Sequence, residues 1–245
     1  MKFLVCISNV PDTTTKISFT PDGKDFNTAG VQFVINPYDE YALTRAIELK
    51  EALGGTVTVL NVGEADAEPN IRKALAIGAD DAIRVNIKPT DAFLVSTQIA
   101  HYAKEGGYDL ILMGRESIDY NGFQVHGMVG ELLGIPTIAP AMKLDINGTT
   151  ATVEREIEGG KEIIEAALPL VVSAQQPMTE PRIPNMRGIM TARTKPLQVV
   201  EAVGQDSKTQ VQGYQLPPAK SGVKMIDAEN AGDLIKLLRN EAKVL

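Results

Sequence analysis

Short apolar runs that stop at glycine or small polar residues alternate along the first half of the chain with stretches of helical periodicity. Phe3–Ile7 is followed by Ser8-Asn9, Thr56–Val62 stops at Gly63, Ala82–Val85 is a third run, and Leu110–Met113 stops at Gly114. Runs of this length and boundary predict strands buried on both faces. Between the first two, Asn36 is placed as an N-cap, Pro37 suits the first helical turn, and Asp39 and Glu40 complement the dipole there. Tyr38, Ala42, Ala46, Leu49 and Leu53 then mark an apolar helix face that Gly54-Gly55 ends. Asp66 is expected to cap a helix running through Ile71, Ala74 and Leu75 to Gly78, and Asp91–Ala103 carries Ala92, Val95, Ile99 and Tyr102 on one face. After Gly114 a polar loop, Arg115–Gly122, leads into Val125, Met128, Val129, Leu132 and Leu133, again at helical spacing. Four strand–helix units in succession predict an α/β fold with a mainly parallel, doubly wound sheet.

Elsewhere the pattern changes. Lys16–Thr20 and Val31–Ile35 flank a turn-rich Pro21–Gly30 and predict a hairpin after the first strand. Beyond Pro136, Ala139–Ile146 and Thr150–Ile157 are joined by Asn147-Gly148, and Gly159-Gly160 turns into Glu162–Ala167 and Leu168–Ser173; these are expected as added antiparallel or edge strands. Gln175–Pro196 is interrupted by Pro177, Pro181, Pro184 and Pro196. Gly204–Gly222 is a polar arm, and Asp227 begins a last helix with Ala231, Leu234, Ile235, Leu237 and Leu238. The expected organisation is a nucleotide-binding α/β domain over 1–203 and a C-terminal arm and helix over 204–245 that docks on a partner.

Composition narrows the function classes. Of 245 residues, 44% are hydrophobic and 22% charged, ordinary for a soluble globular chain. A net charge of −7 argues against a primary role on nucleic acid. The single Cys6 forms no intrachain disulfide, the initial apolar run is short for a signal peptide, and no run approaches the roughly 20 apolar residues of a membrane-spanning helix. The expectation is a reduced cytoplasmic protein without membrane insertion.

Catalytic chemistry is sparse. His101 lies on a polar helix face, and His126 is expected as a solvated or ligand-rim residue; two histidines and one cysteine make no metal cluster. Nucleophile-elbow, zinc-protease, phosphate-loop and dinucleotide fingerprints are absent from the sequence, and Gly159-Gly160-Lys161 lies between strands. No catalytic residue is assigned. What remains is a binding architecture: strand ends at Ile7-Ser8, Val62-Gly63 and Met113-Gly114 beside the Asn36-Pro37 helix start, where open α/β sheets take ligands. A nucleotide there meets backbone amides from several segments, with Asp39 or Asp119 as an acceptor from ribose or adenine.

These segments also carry a resemblance. V-P-D-T (Val10–Thr13), N-P-Y-D-E-Y-A-L (Asn36–Leu43), R-K-A-L-A-I-G-A-D (Arg72–Asp80), G-R-E-S-I-D (Gly114–Asp119) with Gln124, V-E-R-E-I-E-G-G (Val153–Gly160) and E-P-R-I-P-N-M-R-G-I-M (Glu180–Met190) occur in the order seen in the beta subunit of electron transfer flavoprotein. The chain resembles that family up to about Ala202. The resemblance implies a Rossmann-like fold of the adenine-nucleotide alpha-hydrolase-like group and a heterodimer whose alpha subunit holds the redox-active FAD. It implies a structural AMP in the beta subunit, contacted by Cys6, Asn36, Pro37, Tyr38, Asp39, Val62, Gly114, Arg115, Glu116, Ser117, Ile118, Asp119, Tyr120, Asn121, Gly122, Phe123, Gln124 and Val125. Electrons would pass from dehydrogenases, typically acyl-CoA dehydrogenases of fatty acid β-oxidation, to a quinone-linked oxidoreductase.

By the same resemblance the Pro-rich segment 175–196 is a recognition loop for the dehydrogenase, with Glu180, Pro181, Arg182, Ile183, Pro184, Asn185, Met186, Arg187, Gly188, Ile189 and Met190 at the contact. Met186 stands where the family usually has a leucine anchor. Glu156 matches a glutamate near the flavin domain. Two departures are notable: Thr191-Ala192-Arg193-Thr194-Lys195 replaces a lysine-rich run, and Thr13 stands where some relatives have an aromatic residue. Two other readings remain open at this level: an electron-bifurcating form with a second FAD in the beta site, and a free-standing adenine-nucleotide module like the universal stress proteins.

Overall fold

The computed structural model describes residues 1–204, 206–219 and 222–245. Two compact units are present: one comprises Met1–Ile17 and Thr28–Gln212, the other Ser18–Asn27 and Gly213–Leu245.

The first unit is built on β1 (Lys2–Cys6), whose residues alternate between two cores as the pleat requires. Phe3 and Val5 face a layer made with Leu43 and Ile47 of α1 (Pro37–Leu53), whereas Leu4 and Cys6 face the opposite one. β4 (Thr56–Val62) pairs parallel on one side of β1, followed by α2 (Glu68–Ile77) and β5 (Asp81–Asn86). α3 (Ala92–Gly106), β6 (Leu110–Gly114) and α4 (Val125–Leu133) complete the alternation; Ile99 of α3 and Val129 of α4 fill the second core. Helices on both faces of a mainly parallel sheet match the expected class.

The remaining strands are β7 (Thr137–Asn147), β8 (Thr150–Ile157), β9 (Gly160–Ala167), β10 (Leu170–Ala174) and, after helix α5 (Met186–Ala192), β11 (Leu197–Glu201). The nine-stranded order is β11-β5-β4-β1-β6-β10-β7-β8-β9. β7, β8 and β9 form the antiparallel meander that Asn147-Gly148 and Gly159-Gly160 predict. β10 departs from expectation: it is an inner parallel strand between β6 and β7, and all five residues are buried. Its apolar run satisfies two faces at once, which an edge strand has no need to do. β11, not anticipated, adds a parallel edge to β5.

Three local readings are also corrected. The hairpin near the start pairs β2 (Asn9–Pro11) with β3 (Phe33–Ile35), so Val31–Ile35 finds a partner upstream of Lys16–Thr20. Asp66 caps nothing: a short 3-10 turn, Ala65–Ala67, leads directly into α2. Asn36 precedes α1 without capping it, because its side chain is used elsewhere.

In the second unit Phe19 stacks on Tyr214 at 5.0 Å between ring centres, and the Tyr214 N–H donates to the Gly23 carbonyl. Asp227 accepts from the Glu229 N–H at the turn before α6 (Ala231–Leu237), a helix none of whose residues is buried. Among the described residues no helix is long and apolar enough to cross a membrane.

α5 and α2 are fastened by reciprocal end contacts. Arg72 of α2 donates to the carbonyls of Ala192 (2.9 Å) and Lys195 (2.7 Å), and the Lys195 ammonium donates back to Leu75 and Ala79 where α2 ends. Burial lowers the Lys195 pKa, opposed by Asp80, which fits an ammonium held against carbonyls rather than free in water. Arg72→Met keeps the aliphatic stem and removes both donors, and should lower unfolding stability by about 1–3 kcal/mol in urea titrations.

Candidate functional site

The carboxyl ends of β1, β4, β5 and β6 open into a cavity of about 490 Å³, within the range of roughly 300–1,000 Å³ usual for small-ligand pockets. Its floor is apolar, formed by Cys6, Leu60, Val62, Ile99 and Met113. Its mouth is polar, formed by Glu64, Lys88, Asp91 and the loop after β6.

Asp39 organises this end of the sheet. One carboxylate oxygen accepts the Ser8 N–H at 2.7 Å and the other the Gly114 N–H at 2.8 Å, so a side chain from α1 joins the ends of β1 and β6. Gly114 is obligatory in that arrangement: a Cβ there would lie 2.4 Å from Asp39 Oδ1 and 2.6 Å from the Tyr38 Cβ. Burial pushes the Asp39 pKa up to about 7, against the pull of the Ser8 and Gly114 N–H groups and of Asn36. Burial, with the Asp39 charge beside it, also raises Cys6, so that thiol is a neutral wall of the floor.

Asn36 performs a second fastening. Fully buried, it donates to the Glu116 carbonyl at 2.8 Å and accepts the Ile118 N–H at 3.2 Å, which fixes the loop Arg115–Gln124 from behind. Within the loop Asn121 and Phe123 have positive φ of 49° and 46°, a conformation that side chains adopt only when surroundings impose it. α4 then starts at Val125 with no side chain capping it, so its first N–H groups are open to an anion.

Of the residues singled out in the sequence, Cys6, Asp39, Val62, Gly114, Arg115, Glu116, Ser117, Asp119, Tyr120, Gly122, Phe123, Gln124 and Val125 line the cavity. Asn36, Pro37, Tyr38, Ile118 and Asn121 do not; of these Asn36 and Ile118 shape the loop, and Tyr38 lies 5.7 Å from the Arg115 guanidinium. Sequence reasoning missed Lys88–Ala92, although a strand end followed by Lys-Pro-Thr-Asp and a helix is the same signal that marked the other walls. It also missed Thr209 and Val211, which carry no such signal. His126 is a correction: it is buried beneath Phe123, at 4.7 Å between rings, and among the described residues neither ring nitrogen makes a hydrogen bond of good geometry. Burial lowers its pKa, offset in part by the Arg115 backbone, so the imidazole is neutral. Among the described residues no group of three or more His, Cys, Asp or Glu is arranged to hold a metal ion.

A second exposed region lies on Glu180–Met190. Ile183, Met186 and Met190 are 90%, 74% and 70% exposed, yet the backbone beneath them is firmly held. Arg182 makes a two-pronged pair with Glu51 (2.7 and 2.8 Å), Thr179 donates to Glu48, and the Asn185 side chain caps α5 at the Gly188 N–H. Gly188 packs so closely on α2 that a Cβ would come within 2.2 Å of the Ala76 carbonyl. Pro181 and Pro184 are half-buried, and Glu180, Arg187 and Ile189 face solvent. Glu156, exposed at the end of β8, accepts a hydrogen bond from Gln175 at 3.1 Å, and Gln175 in turn accepts one from Arg115 at 3.0 Å.

A profile of the electron transfer flavoprotein domain matches residues 24–204. Full-length similarity agrees: the electron transfer flavoprotein subunit beta of Bacillus subtilis is 42% identical over 259 aligned positions, covering all of both chains. The chain belongs to the electron transfer flavoprotein beta-subunit family. The subunit beta of Syntrophomonas wolfei is 38% identical, and that of Homo sapiens 33%, each covering all of this chain and 98% or 99% of the relative. As a member of this family it is an electron-carrier subunit that pairs with an alpha subunit.

Asp39 gives the site a measurable pH signature. The folded chain holds the Asp39 proton more tightly than the unfolded one, so this group's contribution to stability falls as pH rises from about 4 to about 7. Asp39→Asn should remove that slope from urea-unfolding data. It should also cost about 1–3 kcal/mol, because an amide NH₂ then faces a backbone N–H.

Proposed function

We propose that this beta subunit forms a heterodimer with an alpha subunit carrying the redox-active FAD, and that the complex takes electrons from acyl-CoA dehydrogenases and passes them singly to a quinone-linked oxidoreductase. The beta chain does no bond chemistry itself; it supplies a structural nucleotide site and a docking surface. The observation that carries the docking role is the clamped segment 182–190, which holds Ile183, Met186 and Met190 in solvent while Arg182 is tied to Thr44 and Glu51 of α1 and Gly188 packs on Ala76 of α2. Ordering the backbone in advance spares the entropy that docking would otherwise lose. Methionine is polarizable and changes shape at little cost, which suits a surface meeting several dehydrogenases.

The nucleotide we assign to the cavity is AMP. The residues support it: open N–H groups at the start of α4 suit the phosphate, the apolar floor beside Cys6 and Val62 suits the purine, and Asp119 at the mouth suits a ribose hydroxyl. Both oxygens of Asp39 already accept backbone N–H groups, so its part is to hold the walls together. Glu156, exposed and hydrogen-bonded to Gln175, is available to a cationic group of the flavin-bearing partner.

Met186→Ala should reduce electron transfer from an acyl-CoA dehydrogenase by roughly fivefold to thirtyfold, the effect of one or two kcal/mol of lost docking, while the AMP and FAD contents stay unchanged. Unaltered transfer kinetics refute the docking assignment. Extraction of the co-purified heterodimer should yield one FAD and one AMP; two FAD would instead support an electron-bifurcating complex with flavin in the beta site.

A further inference from the structure

From the end of β11, the described residues 201–204 and 206–211 meet α3 at successively earlier positions, from Tyr102 to the start of the helix. The Tyr102 hydroxyl donates to the Glu201 carbonyl. Gln98, wholly buried, uses both ends of its amide on one residue, accepting the Val203 N–H at 2.8 Å and donating to the Val203 carbonyl at 3.1 Å. Farther on, Thr90 and Ser207 share a short hydrogen bond, and the Lys208 ammonium lies 5.3 Å from the centre of the Phe93 ring.

Asp91 is the final fastening, and it serves two elements. Its Oδ1 caps α3 by accepting the Leu94 N–H at 2.7 Å. Its Oδ2 accepts the N–H groups of Lys208 and Thr209 and the Thr209 hydroxyl. These contacts hold the Asp91 pKa below its ordinary value despite partial desolvation, so the carboxylate is charged at neutral pH. Thr209 and Val211, carried by this fastening, line the cavity.

We propose that Ser207–Val211 is a wall of the nucleotide site, buckled across it by Asp91, and that a bound nucleotide leaves only when this strap lifts. The proposal rests on the nucleotide reading of the cavity. It adds to that site residues from far beyond the β1–β6 core, and it makes retention of the nucleotide depend on a carboxylate that touches the strap.

Two variants separate the strap from the helix. Asp91→Ser keeps a hydroxyl that caps α3 but loses the carboxylate acceptor of the strap. Thr209→Pro deletes an N–H on the strap and leaves α3 untouched. The full chain with its alpha partner is loaded with radiolabelled AMP and chased with unlabelled AMP. Asp91→Ser should release label about tenfold faster or more, the effect of losing charge-assisted hydrogen bonds, and Thr209→Pro should change in the same direction. If Asp91→Ser proves poorly folded by circular dichroism, Thr209→Pro decides alone. Label retained by wild type and released from well-folded variants at the wild-type rate overturns the strap and leaves the nucleotide site standing. A wild-type heterodimer that binds no AMP overturns both.

Discussion

The cavity end of the sheet depends on one buried carboxylate. Parallel strands leave their terminal N–H groups diverging into whatever lies beyond the sheet, and here the ends of β1 and β6 are gathered by Asp39 from the start of α1. The arrangement is costly in isolation, since a desolvated acid favours its neutral form. It holds because each oxygen meets a backbone donor and because Gly114 leaves room for the approach. Asn36, three residues earlier, extends the same logic to the loop after β6. A turn of helix with Asn and Asp at this spacing thus builds a cavity wall from three separate stretches of chain.

Much of this was legible in the sequence, and the failures have physical causes. Strands bounded by small residues, the α1 signals and the Asn147-Gly148 turn all express local rules, so they were readable one segment at a time. β10 was not, because a short, mostly apolar run reads alike at an edge and in the middle of a sheet; only the topology assigns it two neighbours. Asn36 was read as a cap because its type and position suit one, and a tertiary demand from Glu116 and Ile118 won instead. By its polarity and position His126 suits a solvated or ligand-rim place, whereas its ring is packed under Phe123. The cavity residues around Gly114 were visible because loop and helix adjoin in sequence. Thr209 and Val211 reach the same cavity through tertiary fastenings on α3, and no short-range pattern announces that.

The two surfaces of interest are engineered in opposite ways. The cavity is walled by segments that hydrogen-bond to one another, so its form is set before anything enters. The 179–190 segment makes its contacts through backbone N–H groups and the side chains of Thr179, Arg182 and Asn185, and leaves its apolar side chains in solvent. On the proposed function, shape is fixed where a nucleotide would be discriminated and adaptable where partners of differing surface would dock.

The position of β10 bears on how the chain assembles. β7 joins the parallel core only through β10, which is made after the entire β7–β9 meander. While the chain emerges from the ribosome, the meander can close locally, but β6 presents an apolar edge until residues 170–174 arrive to fill it. Until then the unpaired side of β6 is an edge of the kind that invites a stray strand. The last inner strand to be synthesised is thus the one that seals the sheet.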